Sequence, residues 1–274
     1  MLIRTGFVIA LVVSTLTAAE KKSSSYMALG DSIAFGYDPA LLGSPASSFT
    51  GYPEVLIGYS RELNKFTTLA NLACPGEASG SFLDATKPDY HCREYKAALG
   101  LHVPYQGTQM IEALFYLTTS NNVGLITINI GGNDLVLLQI GCNFEANCIL
   151  NGLRVVLAQY GQNLAAILAT LRARTAGNYT GTIVLLTQYS PDYRDALQTG
   201  AVSALNSVAI EVAGNFGVII ADGFGAFQKW AAKEKTGGDT CAAGLLVLMP
   251  GGGCDVHPSA RGQRLLAEAI DEVL

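Results

Sequence analysis

A serine between two glycines is the first residue of this sequence with an arrangement suited to chemistry. Ser32 lies in ALGDSIAFGY, with Gly30 before it and Gly36 after it. A serine at such a turn can present its hydroxyl as a nucleophile for acyl transfer, and its own backbone N–H can bind an oxyanion. By itself the stretch is equally typical of a helix N-cap formed by Asp31 or Ser32.

A histidine near the end of the chain could serve as the base for such a serine. His257 lies in CDVHPSARG and is one of three histidines in the sequence. A neutral imidazole accepts the serine proton when a carboxylate holds its other nitrogen, and Asp255 could supply that carboxylate. A structural role in a bend before a helix N-cap at Ser259 is the alternative. The other two, His91 and His102, lie in loop-like surroundings and are weaker candidates.

Two further stretches contain groups that could stabilise an oxyanion. Asn133 follows two glycines in INIGGNDL, where its amide could donate a hydrogen bond and Asp134 could hold the loop. Gly76, in LACPGEASG, could offer its backbone N–H to a ligand. Each stretch alone is equally typical of an ordinary turn. Ser79 and Ser81 are weak rival nucleophiles.

The elements that must position these residues alternate between strand and helix. Apolar runs predict strands at residues 26–30, 66–73, 123–130, 182–188 and 217–222, and helical periodicity predicts helices at 53–64, 107–119, 151–176, 200–216 and from 259 onward. This alternation indicates an α/β fold with three layers and a central parallel sheet of about five strands. Because ligands bind at the carboxyl ends of parallel strands, the residues that follow each strand become site candidates.

The N-terminus and the charge limit the class of protein. Residues 1–19 combine Arg4, an apolar run and small residues, which predicts a cleaved secretory signal peptide and no membrane span after cleavage. We expect residues 20–274 to form a single domain, and we expect a monomer. The net charge of −5 and the absence of a Lys/Arg cluster argue against nucleic-acid binding.

Six cysteines follow the predicted export signal, which makes disulfides the default. Of the fifteen connectivities that six cysteines allow, we favour pairing of neighbours along the chain: Cys74 with Cys92, Cys142 with Cys148, and Cys241 with Cys254. No C-x-x-C or zinc-type spacing occurs, so the sequence predicts no metal site.

Taken together and in order, ALGDSIAFG, Gly76, GGND and DVHP resemble the four conserved blocks of the SGNH, or GDSL, hydrolases. The resemblance extends from Tyr26 to the last helix. It implies a flavodoxin-like α/β/α sandwich and hydrolysis of esters without a cofactor. It also implies the site residues: Ser32 as nucleophile, His257 as general base, Asp255 as its partner, and the oxyanion donors Ser32 N–H, Gly76 N–H and the Asn133 amide. The cysteine layout resembles the secreted lipase-like branch of this family.

The sequence departs from the family at one point. The commoner spacing is D-x-x-H, whereas here Cys254 occupies the usual aspartate position and Asp255 precedes His257 by a single intervening residue. Asp255, or a backbone carbonyl in place of an acid, could therefore support His257, with Asp222 in reserve.

The resulting functional hypothesis is a secreted or periplasmic serine hydrolase of the esterase or lipase type, acting on a small-molecule or lipid ester. The apolar stretch AGLLVLMPGG favours an acyl lipid or aliphatic ester. The aromatic stretches YSPDYRD and PDYHCREY are compatible with a carbohydrate acetyl esterase that would use the same site. A catalytically inactive secreted binding module is the alternative outside the enzymes.

Overall fold

The computed structural model describes residues 24–59, 66–119, 122–173, 177–233 and 235–274. The predicted signal peptide, residues 1–19, lies outside these ranges. At the centre is a five-stranded parallel sheet in the order β2-β1-β3-β4-β5. Its strands are β1 (Ser24–Gly30), β2 (Phe66–Asn71), β3 (Val123–Asn129), β4 (Thr182–Leu186) and β5 (Ile219–Ala221).

Helices follow the strands along the chain. They are α1 (Ser32–Phe35), α2 (Tyr52–Tyr59), α3 (Cys92–Ala98), α4 (Gln109–Thr119), α5 (Gly132–Gly141), α6 (Ala146–Arg172), α7 (Ala196–Gly214), α8 (Gly223–Ala231) and α9 (Ala260–Asp271). Two short 3₁₀ helices span Pro39–Leu41 and Ala46–Ser48. A two-stranded antiparallel sheet, β6 (Leu246–Leu248) with β7 (Cys254–Pro258), precedes α9.

Both faces of the parallel sheet are covered, which makes the three layers that the sequence predicts. Along β1, Tyr26 and Ala28 belong to one buried cluster with residues of α2, α8 and α9. Met27 and Leu29 belong to a second cluster with residues of α4, α6 and α7. Successive side chains of a strand point to opposite faces, so a strand buried on both faces is a continuous apolar run.

The long helix α6 buries the face that its periodicity predicts. Tyr160, Leu164, Ile167 and Leu171 are buried, and Val156 packs against the same cluster while partly exposed. The helix begins at Ala146 rather than near residue 151. Cys148 therefore lies in its first turn, where a disulfide joins it to Cys142 at the end of α5.

Several elements differ from those predicted by the sequence. Helices α1, α3, α5 and α8 lie in stretches read as turns or loops, because they are short or glycine-rich and have weak periodic patterns. The stretch around His257 forms strand β7 rather than a bend. Its partner, β6, pairs Leu246 with Pro258 and Leu248 with Cys254, a contact that local sequence does not reveal.

Three disulfides join cysteines that are neighbours along the chain: Cys74–Cys92, Cys142–Cys148 and Cys241–Cys254. This is the pairing favoured by the sequence. The first and third lie within the two long connections that follow β2 and β5, and Cys254 directly precedes Asp255. Among the helices in the described ranges, none is long and apolar enough to cross a bilayer.

Candidate active site

The carboxyl end of the sheet brings together the five residues to which the family resemblance assigns catalytic roles. Ser32 follows β1, Gly76 follows β2 and Asn133 follows β3. These three strands are neighbours in the sheet, so the residues that follow them lie at the same edge. They line one cavity of about 430 Å³ together with Asp255 and His257 from β7. This volume suits a small organic ligand.

A continuous chain of contacts joins the serine, the histidine and the aspartate. His257 Nε2 lies 2.9 Å from Ser32 Oγ. On the other side of the ring, His257 Nδ1 contacts Asp255 Oδ1, which also accepts a hydrogen bond from the His257 backbone N–H at 3.0 Å. The hydrogen bond from the His257 side chain holds the pKa of Asp255 below its usual range despite partial burial. A negative carboxylate there favours the Nδ1–H tautomer and leaves Nε2 free to accept the serine proton.

The helix cap and the serine hydroxyl that the sequence suggested for this turn belong to different residues. Asp31 is the N-cap of α1, and its carboxylate accepts a hydrogen bond from Ile33 N at 3.0 Å. Ser32 is the first residue of the helix and its hydroxyl faces His257. The Ser32 N–H donates to no other group of the described residues. Burial raises the pKa of Asp31 to about 7.

Gly76 occupies a position where a side chain cannot be accommodated. Its φ is +85°, and an added Cβ would lie 1.7 Å from the carbonyl oxygen of Tyr90. The Gly76 carbonyl accepts from Tyr90 N at 2.7 Å, which packs the turn against the disulfide-closed connection. Within the ranges that the structure describes, the Gly76 N–H has no acceptor. It is therefore available to a ligand in the cavity.

Asn133, buried at the start of α5, is held by the loop that carries Gly76. Its Nδ2 donates to the Glu77 carbonyl oxygen at 2.9 Å, which uses one of the two amide hydrogens. Asp134 accepts from both Ser79 N (2.9 Å) and Ser79 Oγ (2.6 Å), and so ties α5 to the same loop. The loop-holding role expected for Asp134 is thus present.

The remaining candidates have structural contacts. Asp222 caps α8 by accepting from Gly225 N at 2.9 Å. The rival serines are buried, Ser79 against Asp134 and Ser81 against Glu77. His102 contacts the Phe35 carbonyl, whereas His91 lines the cavity near its aromatic side.

The cavity has an aliphatic half and an aromatic half. The loop after α1, the loop after β2 and α3 contribute aromatic rings, whereas α5, α7 and the loop after β4 contribute aliphatic side chains together with the ring of Tyr189. The aromatic half contains Tyr37, Tyr90, His91 and Tyr95, and the aliphatic half contains Leu135, Val136, Pro191, Ala201 and Val202. The sequence had singled out the aromatic stretches that contain Tyr90, Tyr95 and Pro191, but it missed the aliphatic side chains of α5 and α7, because nothing in a lone Leu or Val indicates which helix will border the serine.

A group of potential metal ligands lies beneath the Gly76 loop. One ligand atom each from Cys74, Glu77 and Cys92 lies within 4.8 Å of the others. The two cysteines are joined to each other, so neither can offer a thiolate. These residues therefore do not fit a metal site.

We predict that Glu77 makes the stability of the protein depend on pH. Burial raises the pKa of its carboxyl from 4.5 to about 7, and the hydrogen bond from Ser81 offsets this only in part. Since the pKa is higher in the folded state, the contribution to stability is present at low pH and lost as pH rises through about 4.5 to 7. We expect Glu77→Gln to remove this loss, and so to gain roughly 2 to 3 kcal/mol relative to wild type between about pH 5 and pH 8.

Urea unfolding of both proteins at the two pH values measures this difference. Glu211→Gln, at an exposed position, is the matched control. Its free energy of unfolding should differ from that of wild type by the same amount at both pH values. A Glu77→Gln difference that does not change with pH would contradict the prediction.

Comparisons with known proteins agree with the fold and identify the family. Residues 28–265 match the model of the GDSL-like Lipase/Acylhydrolase family, whereas no curated protein matches. Similar solved structures include phospholipase A1 from Streptomyces albidoflavus NA297, at 19% identity over 92% of this chain and 100% of that one, with a TM-score of 0.59. The extracellular lipase from Streptomyces rimosus has the same identity and coverage, with a TM-score of 0.58.

A third similar structure is the acetylxylan esterase Axe2 from Geobacillus stearothermophilus, at 18% identity over 91% of this chain and 94% of that one, with a TM-score of 0.54. At these identities the likeness is one of fold. The family match, by contrast, spans most of the chain and includes Ser32, Gly76, Asn133 and His257. The chain therefore belongs to the GDSL-like lipase/acylhydrolase family and is a carboxylic ester hydrolase.

Proposed function

We propose that this protein is a secreted serine esterase that hydrolyses aliphatic carboxylic esters through Ser32, His257 and Asp255. The observation that carries the proposal is the contact chain from Asp255 through His257 to Ser32, which ends in a cavity where Gly76 and Asn133 offer hydrogen-bond donors. Nucleophile, base and orienting carboxylate in this relation are the requirements of acyl transfer.

The mechanism has two steps. Ser32 Oγ attacks the ester carbonyl carbon while His257 Nε2 takes the serine proton, and the carbonyl oxygen becomes an oxyanion bound by Ser32 N–H, Gly76 N–H and the Asn133 amide. His257 then gives the proton to the departing alcohol, which leaves an acyl group on Ser32. Water, deprotonated by His257, attacks this acyl-enzyme, and as the acid leaves His257 returns the proton to Ser32 Oγ. Asp255 stays ionised throughout, since its pKa is lowered.

The two halves of the cavity suggest how the ester lies. The leaving alcohol must be near His257 Nε2, and Tyr37 of the aromatic half packs on the His257 ring with centroids 4.8 Å apart. The alcohol therefore belongs in the aromatic half, and the acyl chain belongs in the aliphatic half between α5 and α7. Burying methylene groups against aliphatic side chains contributes about 0.8 kcal/mol each, so acyl chains longer than acetyl are the preferred substrates.

Substituting one residue in each half tests this orientation. We expect Val202→Phe to lower kcat/KM for p-nitrophenyl octanoate roughly tenfold or more while p-nitrophenyl acetate changes little, because the larger ring fills the space for the chain. Tyr95→Ala should leave the chain-length preference unchanged and change the preference among alcohols. The measurement is kcat/KM over p-nitrophenyl acetate, butyrate, octanoate and laurate. If Val202→Phe reduced activity on all four equally, the acyl chain would not lie there.

A carbohydrate acetyl ester is a second candidate substrate. The observation in its favour is the row of Tyr37, Tyr90 and Tyr95 along the cavity, since aromatic rings can stack on sugars. The similar structure of an acetylxylan esterase also supports it. Wild-type turnover of acetylated xylo-oligosaccharides well above that of butyrate and octanoate esters would favour this substrate over an aliphatic one.

Covalent labelling distinguishes an enzyme that uses Ser32 from an inactive binding module. A fluorophosphonate should modify Ser32 of the wild-type protein stoichiometrically, and peptide mapping would locate the adduct. A folded protein that stays unlabelled would contradict the proposed nucleophile.

Export is part of the proposal. Its support is the predicted leader at residues 1–19 together with three disulfides, which form and persist in oxidising compartments. We further propose that residues 20–274 act as one domain and as a monomer. The uninterrupted family match over residues 28–265 supports the single domain.

A further inference from the structure

A buried amide side chain that belongs to none of the catalytic motifs in the sequence binds the backbone just before the nucleophile. Gln109 is the first residue of α4 and is fully buried. Its Oε1 accepts from Gly30 N at 2.7 Å and its Nε2 donates to Gly30 O at 2.9 Å. One side chain thus holds both polar backbone groups of the last residue of β1, two positions before Ser32.

Gly30 is the residue at which the chain changes direction between β1 and α1. Its φ of +142° suits glycine, and an added Cβ would lie 2.1 Å from the Asn129 carbonyl oxygen on β3. Here the chain leaves the sheet and turns into α1, which presents Ser32. Small rotations at Gly30 would move the serine hydroxyl, and the paired hydrogen bonds from Gln109 oppose such rotations.

The same amide also reaches the loop that carries the oxyanion donors. Gln109 Nε2 lies 3.4 Å from Glu77 Oε2. Glu77 follows Gly76, and its carbonyl oxygen holds the Asn133 amide. Gln109 thereby connects the Ser32 turn, the Gly76 loop and, through Glu77, Asn133.

We propose that Gln109 is a positioning residue that fixes the Ser32 hydroxyl relative to the oxyanion donors. This inference rests on the proposed function of Ser32, Gly76 and Asn133. Acyl transfer requires the attacking oxygen and the oxyanion donors to keep their relative positions to within a fraction of an ångström. A side chain that bonds to two of the three segments, and indirectly to the third, holds them in those positions.

The test uses Gln109→Glu, which changes the pattern of donors with little change in shape. A neutral glutamic acid can still accept from Gly30 N and donate to Gly30 O, whereas an ionised one cannot donate and places a carboxylate against the Gly30 carbonyl. The ionisable groups around this position are Glu77, Tyr105, Lys96 and, beyond Gly30, Asp31. Burial and the neighbouring carboxyls would raise the pKa of the new group into the neutral range.

We expect the ratio of variant to wild-type kcat to depend on pH. Near pH 5.5 the ratio should be within about threefold of one. Near pH 8.5 the ratio should be roughly tenfold or more below its value at pH 5.5, and KM should change less than kcat. Taking the ratio removes the pH dependence that both proteins share.

Asn206 provides a matched control. It is also buried, and it holds both backbone groups of Gln188 in the same way, with Oδ1 accepting from N at 2.8 Å and Nδ2 donating to O at 2.7 Å. Gln188 follows β4 rather than the nucleophile strand. Asn206→Asp should therefore lower thermal stability as pH rises, while its kcat ratio changes less than about threefold.

The outcomes separate the possible failures. A flat kcat ratio for Gln109→Glu, alongside a pH-dependent loss of stability, would show that Gln109 only supports the fold and would overturn this inference alone. Equal changes in kcat for Gln109→Glu and Asn206→Asp would do the same. If a folded Ser32→Ala variant kept the turnover of wild type, the proposed function would be overturned, and this inference with it.

Discussion

Ser32→Ala is expected to lower kcat for p-nitrophenyl butyrate by about 10⁴- to 10⁶-fold while the protein keeps its fold. The serine hydroxyl is the attacking atom in the proposed mechanism and lies 2.9 Å from His257 Nε2. Alanine removes the nucleophile but leaves the backbone N–H donors of residues 32 and 76 in place. The cavity should therefore still bind substrate, and the loss should be in kcat rather than in KM.

The measurement is steady-state hydrolysis by the oxidised chain beside four variants, which are Ser32→Ala, His257→Ala, the double variant of both and Ser203→Ala. His257→Ala should lose activity to a similar degree, and the double variant should be little worse than either single one, because the two residues act as a unit. The exposed Ser203→Ala on α7 is the matched serine control and should keep wild-type turnover. Substantial activity in a folded Ser32→Ala protein would mean that a different residue attacks the ester.

Asp255→Asn is expected to lower kcat by about 10³- to 10⁴-fold. The substitution keeps the shape but removes the charge that stabilises the imidazolium, and an amide that donates to Nδ1 would favour the wrong tautomer. In the structure Asp255 accepts from both the ring Nδ1 and the backbone N–H of His257, so the short spacing still places the carboxylate on the ring. The sequence had left open whether an acid or a backbone carbonyl contacts the Nδ1 side of His257. In the structure Asp255 makes that contact.

Asp222→Asn is the matched control for this prediction. Asp222 caps α8 through one acceptor oxygen, and asparagine is a comparably good N-cap, so this substitution should change stability by no more than about 0.5 kcal/mol and have little effect on turnover. Steady-state kinetics with thermal unfolding of both variants separates the two roles. Unchanged turnover in Asp255→Asn, with His257→Ala inactive, would mean that a backbone carbonyl supports the histidine.

Much of the framework could be predicted from local sequence. The central strands β1, β3 and β4 are runs of mostly apolar residues because they are buried on both faces, and α6 has a strong periodic face because only one side of it packs. The site residues follow strands, and parallel strands end at one edge. That geometry predicted Ser32, Gly76 and Asn133 at one edge of the sheet, and the family resemblance alone added His257 to them.

Other parts of the site could not be predicted because long-range contacts decide them. The His257 stretch becomes a strand only through pairing with β6, and its position beside Ser32 depends on packing across 225 residues of sequence. Gln109 carries no motif, and only the fold brings it to Gly30, 79 residues earlier. The rings and aliphatic side chains of the cavity likewise come from distant loops and helices.

The sequence by itself determined the α/β alternation, the family and the chemical types at the site, because hydrophobic periodicity and turn residues act over a few positions. The tertiary structure alone decided which carboxylate meets His257, which amide holds the nucleophile strand and how the cavity divides into aliphatic and aromatic halves. Those features depend on distances between side chains that the chain order leaves unspecified, and burial in one packed core sets them.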